Sequence, residues 1–131
     1  MIDQSLSCVI FMHYRTLEQA MPKMTRPLEE LDQTIATRAA SPSDKSYTSQ
    51  LLAGGVAKIG AKIAEEAAEV VEAAEEPGEA GREHLIREAG DLVYHLLVML
   101  HHRNCSLADL EAELARRAGV SGLEEKAARK K

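Results

Sequence analysis

Apolar and polar positions alternate with a helical period along most of this chain. Leu28, Leu31 and Ile35 recur at helical spacing and predict a first helix over 28–38. Residues 39–46, with Ser41-Pro42-Ser43-Asp44, read as a loop. Ser46 or Thr48 then caps a short helix through Leu51 and Leu52, stopped by Gly54-Gly55. A long helix follows over 56–76, with the apolar stripe Ile59, Ile63, Ala67, Val70, Val71, Ala74, and Pro77-Gly78 ends it. The next helix, 81–102, is apolar almost all round from Leu92 to Leu100, which predicts a central position. Ser106, with Asp109 three residues on, opens a last helix reaching Arg117. No repeat of solenoid length is present.

The flanks lack this period. Residues 1–27 carry Met12, Met21, Met24, Pro22 and Pro27 and read as an N-terminal extension, with Met21 and Met24 as alternative starts; 118–131 read as a basic, frayed tail. Between them, 28–117 form one domain, in keeping with a chain of 131 residues. Aromatics make up 3% of the chain and there is no Trp, while Ala and Leu dominate the apolar set, so the fold class is an all-α helical bundle. Four helices with a nearly all-apolar member leave faces uncovered, which predicts completion of the bundle by a second copy, a homodimer.

A net charge of −5 gives no general footprint for nucleic acid or an anionic membrane. The apolar run Cys8 to Met12 is five residues long, far short of a membrane span. Cys8 and Cys105 form no C-x-x-C, which suits a reducing compartment. We therefore expect a cytoplasmic protein with neither nucleic acid nor membrane as partner.

The informative chemistry is acidic. Glu66 and Glu69, then Glu88 and Asp91, form two E-x-x-[ED] pairs separated by residues 70–87. Residues three apart share a helix face, with Cβ atoms roughly 5–6 Å apart, so two such pairs on antiparallel helices converge on one point. A hard cation takes oxygen ligands at about 2.1 Å, which points to Mg²⁺. The competing reading is a solvated acidic face. Against it stand the like-charge pairs Glu65–Glu69 and Glu72–Glu76, and Asp91, a poor helix former standing just before the apolar run Leu92 to Leu100. A lone carboxylate entering a buried helix is costly without a partner, which predicts a buried Asp91 beside a metal.

Three stretches carry a resemblance. Ser46-Tyr47-Thr48-x-x-Leu51-Leu52-x-x-Gly55, Lys62-x-x-Glu65-Glu66-x-x-Glu69-Val70 and Glu88-Ala89-x-Asp91-Leu92-x-Tyr94-His95-Leu96-Leu97-Val98 resemble phosphoribosyl-ATP pyrophosphohydrolases of histidine biosynthesis, and Glu113-Leu114-x-x-Arg117 also fits. The acidic pattern is shared with the wider MazG-like all-α pyrophosphohydrolases. The resemblance implies a Mg²⁺-dependent enzyme that hydrolyses N1-(5-phosphoribosyl)-ATP to the AMP form and pyrophosphate, and it too suggests a dimer. A housecleaning nucleoside triphosphate pyrophosphohydrolase and a non-catalytic helical interaction module are the competing functions.

On this reading Glu66, Glu69, Glu88 and Asp91 hold Mg²⁺, and Glu65 orients or deprotonates the attacking water; exchange of the roles of Glu65 and Glu66 stands as an equal alternative. Lys62, one turn ahead of the acidic group, meets phosphate or simply pairs with Glu66. Lys58 and Arg38 are further phosphate candidates. Tyr47 and Thr48 touch the nucleotide, with a cap role for Thr48 as the alternative. His95, four after Asp91, donates to that carboxylate or is a satisfied core residue. His101 and His102 point apart and do not form a metal pair.

Overall fold

The computed structural model describes residues 26–130, which contain five helices and no strand among them. They are α1 (Pro27–Ala40), α2 (Tyr47–Glu75), α3 (Gly78–His102), α4 (Leu107–Arg117) and α5 (Gly122–Arg129). The expectation for the N-terminal extension falls almost wholly outside these residues.

α2 is two helices meeting at Gly55, where φ is 67° and ψ is −164°, a conformation open to glycine and strained for other residues. The chain doubles back there. Thr48 meets Tyr94, Gly55 faces His102, Gly60 faces Met99 and Glu66 returns to His95, so the short arm 47–54 runs along α3 in one sense and the long arm 56–75 in the other. The sequence break at Gly54-Gly55 is thus real, and its consequence is a reversal. Ser46 caps the short arm by accepting from Ser49 N at 3.2 Å. Thr48, the alternative cap, is instead a helical residue with its hydroxyl turned to Tyr94.

A second turn, Glu76-Pro77-Gly78, joins α2 to α3. Gly78 has φ +75°, and a Cβ at Gly81 would collide with the carbonyl of Glu76, so the close approach of the two helix ends depends on that missing side chain. α3 begins at Gly78, three residues before the predicted start. The α2–α3 hairpin is the main packing unit; α1 lies against both helices and α4 against α1. The core is Ile35, Leu51, Ile59, Leu97, Val98 and Leu107, flanked by Leu31, Leu52, Ile63, Tyr94, Met99 and Leu100. Each fully buried Ile, Leu or Val contributes about 1.5–3 kcal/mol.

Two expectations need correction. On α2 the buried row is Ile59, Glu66 and Ala73, whereas Val71 is 61% exposed. Spacing alone admits both rows; packing against α3 selects the one containing a carboxylate. Among the described residues α3 keeps an uncovered face, as expected for one chain, since Val93 and Leu96 are 37% and 42% exposed. Finally, Gly122–Arg129 is helical where a frayed tail was predicted, because Ser121 and Glu124 form a reciprocal capping box and Arg116 reaches Glu125 Oε1 at 2.9 Å.

Asp32, on α1, ties the end of α3 and the start of α4 to that helix. Its Oδ1 accepts from His101 Nε2 at 2.7 Å and from the Leu107 amide at 3.0 Å, while Ser106 and Asp109 close the predicted capping box of α4. This engages His101 away from His102, as the sequence suggested for that pair.

Candidate metal and phosphate site

The long arm of α2 and the first half of α3 bring Glu66, Glu69 and Glu88 together. One carboxylate oxygen from each lies within 4.8 Å of the other two. Glu66 is buried, at 6% exposure, and the other two are half-buried. Crowded carboxylates penalise their ionised forms, and the carboxyl of Glu69 is raised above its usual range by partial burial, then by hydrogen bonding with Glu66 and Glu88 and by their charge. Such a group is short of positive charge. Its oxygen-only donor set and spacing fit a hard divalent cation.

Lys62 stands beside it. Its ammonium contacts Glu65 Oε2 at 2.7 Å and Glu66 Oε1 at 3.4 Å, and the hydrogen bond to Glu65 is the largest of the influences that hold its pKa above the usual lysine value. The surface pair with Glu66 is therefore present, and Glu65 shares the same ammonium. Glu65 itself is exposed and lies outside the carboxylate group. Of the two alternatives for adjacent residues 65 and 66, the geometry brings Glu66 in with the others.

The reversal at Gly55 returns Tyr47 and Thr48 to this end of the hairpin. Thr48 Oγ1 lies 2.6 Å from the Tyr94 hydroxyl, the Tyr47 and Tyr94 rings stack at 6.4 Å between centroids, and the Tyr47 hydroxyl lies 3.5 Å from His95 Nε2. Tyr47 is half exposed and Thr48 is buried. His95 Nδ1 donates to the main-chain carbonyl of Asp91 at 2.8 Å and is 3.8 Å from Glu66 Oε1. The sequence allowed His95 to donate to the Asp91 carboxylate; the carbonyl takes that bond because residues four apart on a helix bring the ring over the backbone oxygen. His95 is the satisfied core residue of the two alternatives, although it borders the site.

Asp91 was expected to be buried, and it is exposed. The Asp91 carboxylate is solvated and has no partner among the described residues. It lies one helical turn past Glu88 and outside the three-carboxylate group. Arg38 and Lys58 are not at this end. Arg38 lines a cavity of about 350 Å³ with Leu52, His101 and Asn104. His101 follows Glu88 by thirteen residues of α3, or about 20 Å of helix. Lys58 lies over Gly54, at the reversal.

One participant escaped the sequence reading. His84 contacts Glu76 Oε1 through Nδ1 at 2.9 Å and Glu88 Oε1 through Nε2 at 3.0 Å. Its i,i+4 relation to Glu88 was visible in the sequence; its relation to Glu76 exists only across the folded turn.

Residues 28–118 match the family model described as phosphoribosyl-ATP pyrophosphohydrolase. A protein of Rhodopirellula baltica named phosphoribosyl-ATP pyrophosphatase is 54% identical over 109 residues, covering 83% of this chain and 91% of that protein. Proteins of the same name from Nitrobacter winogradskyi and Paracoccus denitrificans are 46% identical over 90% of this chain and 97% of the relative, and 50% identical over 79% and 93%.

Proposed function

Since the chain belongs to the phosphoribosyl-ATP pyrophosphohydrolase family, we propose that Glu66, Glu69, Glu88 and Asp91 hold Mg²⁺ and that the substrate's triphosphate lies across the α2–α3 hairpin. The reaction is hydrolysis of N1-(5-phosphoribosyl)-ATP to N1-(5-phosphoribosyl)-AMP and pyrophosphate, the second step of histidine biosynthesis. The observation that carries the site is the convergence of Glu66, Glu69 and Glu88 with too little positive charge beside them. When bound, the metal supplies neutralisation of phosphate charge and polarisation of the bond to be broken.

The chain's own residues supply the rest. Asp91 shares a face with Glu88, three residues away, and its solvated side chain is free to turn toward the group. Lys62 holds Glu65 and Glu66 through two contacts and keeps a third N–H for a phosphate oxygen. Glu65, outside the group, is the carboxylate left to orient water and accept its proton. Tyr47, half exposed over the Tyr94–His95 cluster, offers a ring face to the nucleotide, and Thr48 holds that cluster from below. Arg38 lies toward the other end of the hairpin and Lys58 one helical turn before Lys62, where a partner chain's substrate could meet them.

Two copies complete the bundle. Val56, Val71, Ile86, Val93 and Leu96 are exposed on the two hairpin helices, an apolar surface suited to a second hairpin. Among the described residues no helix is long and apolar enough to cross a membrane, in keeping with a cytoplasmic enzyme. Light scattering at micromolar concentration should report twice the 14.3 kDa chain mass, and a fully active monomer would refute the pairing. The decisive assay is pyrophosphate release from phosphoribosyl-ATP compared with ordinary nucleoside triphosphates, with and without Mg²⁺. Preference for ordinary triphosphates would make the chain a housecleaning hydrolase, and no release from either would leave a helical interaction module.

A further inference from the structure

We propose that His84 is a positioning residue that holds Glu88 in the carboxylate group by bridging it to Glu76 across the turn between α2 and α3. This rests on the reading of Glu66, Glu69 and Glu88 as Mg²⁺ ligands. The two imidazole nitrogens point to opposite edges of the ring, and each faces a carboxylate: Nδ1 is 2.9 Å from Glu76 Oε1 and Nε2 is 3.0 Å from Glu88 Oε1.

The two carboxylates come from different helices, that of Glu76 47% exposed and that of Glu88 14%. Glu76 is the residue that ends α2, with its amide bonded to the Ala73 carbonyl, and its own carbonyl lies against Gly81 of α3. Glu88 is a long side chain projecting from α3 toward two other carboxylates that repel it. Unheld, it would relax toward solvent. His84, one turn before it on the same helix, gives it a contact and links it to Glu76 at the end of α2. Lys62 makes a corresponding contact with Glu66 at 3.4 Å. Lys62, against Glu66, and His84, against Glu88, thus border the three-carboxylate group.

The test is Mg²⁺ binding to the full chain without nucleotide, measured by titration calorimetry, with thermal unfolding in chelator measured alongside. On charge alone, removing a nitrogen donor beside Glu88 would tighten the cation; a positioning role demands the reverse. His84→Ala should weaken Mg²⁺ binding tenfold or more, the loss typical when a ligand's supporting partner is removed. His84→Phe keeps the ring without its nitrogens and should show the same loss. His84→Gln, whose amide reaches Glu88 from the same i,i+4 position, should recover most of the affinity. Glu76→Ala should weaken binding, and the double variant His84→Ala with Glu76→Ala should be no weaker than His84→Ala, because Glu76 acts only through the imidazole.

Unchanged or tighter binding in His84→Phe would overturn the proposal, as would additive losses in the double variant. A lowered melting temperature with wild-type affinity would show a mere pin of the turn, and would overturn it too. If His84→Ala does not fold, the Phe and Gln variants decide between them. A wild-type chain that binds no Mg²⁺ is distinct from all of these: it removes the carboxylate reading itself, and the proposal falls with it.

Discussion

Glu66→Gln separates a metal ligand from a solvated acid by the sign of its effect. The change keeps size and removes one charge from a residue at 6% exposure whose oxygen lies within 4.8 Å of two other carboxylates. At that distance one like-charge pair costs about 0.9 kcal/mol in water and about 3.5 kcal/mol at an effective dielectric of 20. Against this relief stands the lost contact with Lys62 at 3.4 Å, worth about 0–1 kcal/mol for a partly exposed pair. His95 Nδ1, at 3.8 Å, is beyond hydrogen-bond range and changes little. The metal-free variant should therefore be more stable than the parent by about 1 kcal/mol, several degrees in melting temperature for a domain of this size. Mg²⁺ inverts the order. At a hundred times its dissociation constant it stabilises the wild type by about 2.7 kcal/mol; with affinity lowered a hundredfold, the same concentration stabilises the variant by about 0.4 kcal/mol. Thermal unfolding in chelator and in Mg²⁺ measures both. A variant less stable than wild type in chelator, with an undiminished Mg²⁺ shift, would refute the reasoning.

Glu69→Gln and Asp91→Asn should lose most turnover while the far-UV circular dichroism stays unchanged, whereas Glu75→Gln, exposed near the end of α2, should stay close to wild type; equal effects at 69 and 75 would favour a solvated face. Gly55→Ala places a Cβ at φ 67° and ψ −164°, so denaturant unfolding should show a loss of about 1–3 kcal/mol, and an unchanged midpoint would mean that the reversal does not need glycine. The raised Glu69 carboxyl fixes a pH trend: the unfolded chain gives up that proton first, so the penalty is absent below about 4.5 and grows as pH rises through the raised folded value. Metal-free wild type should accordingly lose stability relative to Glu69→Gln as pH climbs above that range, and Mg²⁺ should erase the difference. Glu113, lowered to about 2 chiefly by its hydrogen bonds to Arg116 and Arg117, behaves oppositely: its contribution is present above about 4.5 and is lost as pH falls toward 2, so Glu113→Gln should blunt the acid sensitivity of the α4 end seen by hydrogen exchange.

The helices and their ends were legible in the sequence because they rest on local rules. The caps Ser46 and Ser106, the stop at Pro77-Gly78 and the break at Gly54-Gly55 depend on what a few neighbouring residues do to the backbone. The E-x-x-[ED] spacing was equally local, and Glu66, Glu69 and Glu88 do converge. Long-range choices lay beyond it. Which adjacent carboxylate, Glu65 or Glu66, joins the group was decided by the face of α2 that packs on α3, since a rotation of one residue is only about 100° and both rows are plausible on their own. Asp91 was read as buried from the apolar run after it, yet burial depends on which neighbours arrive, and none of the described residues covers its side chain. The meeting of Tyr47 with His95, of Asp32 with Leu107, and of Glu76 with His84 joins residues far apart in sequence or across a turn. Such contacts exist only after the chain has reversed at Gly55 and at Gly78, because a periodic pattern states which face of a helix is apolar but not which partner it will meet.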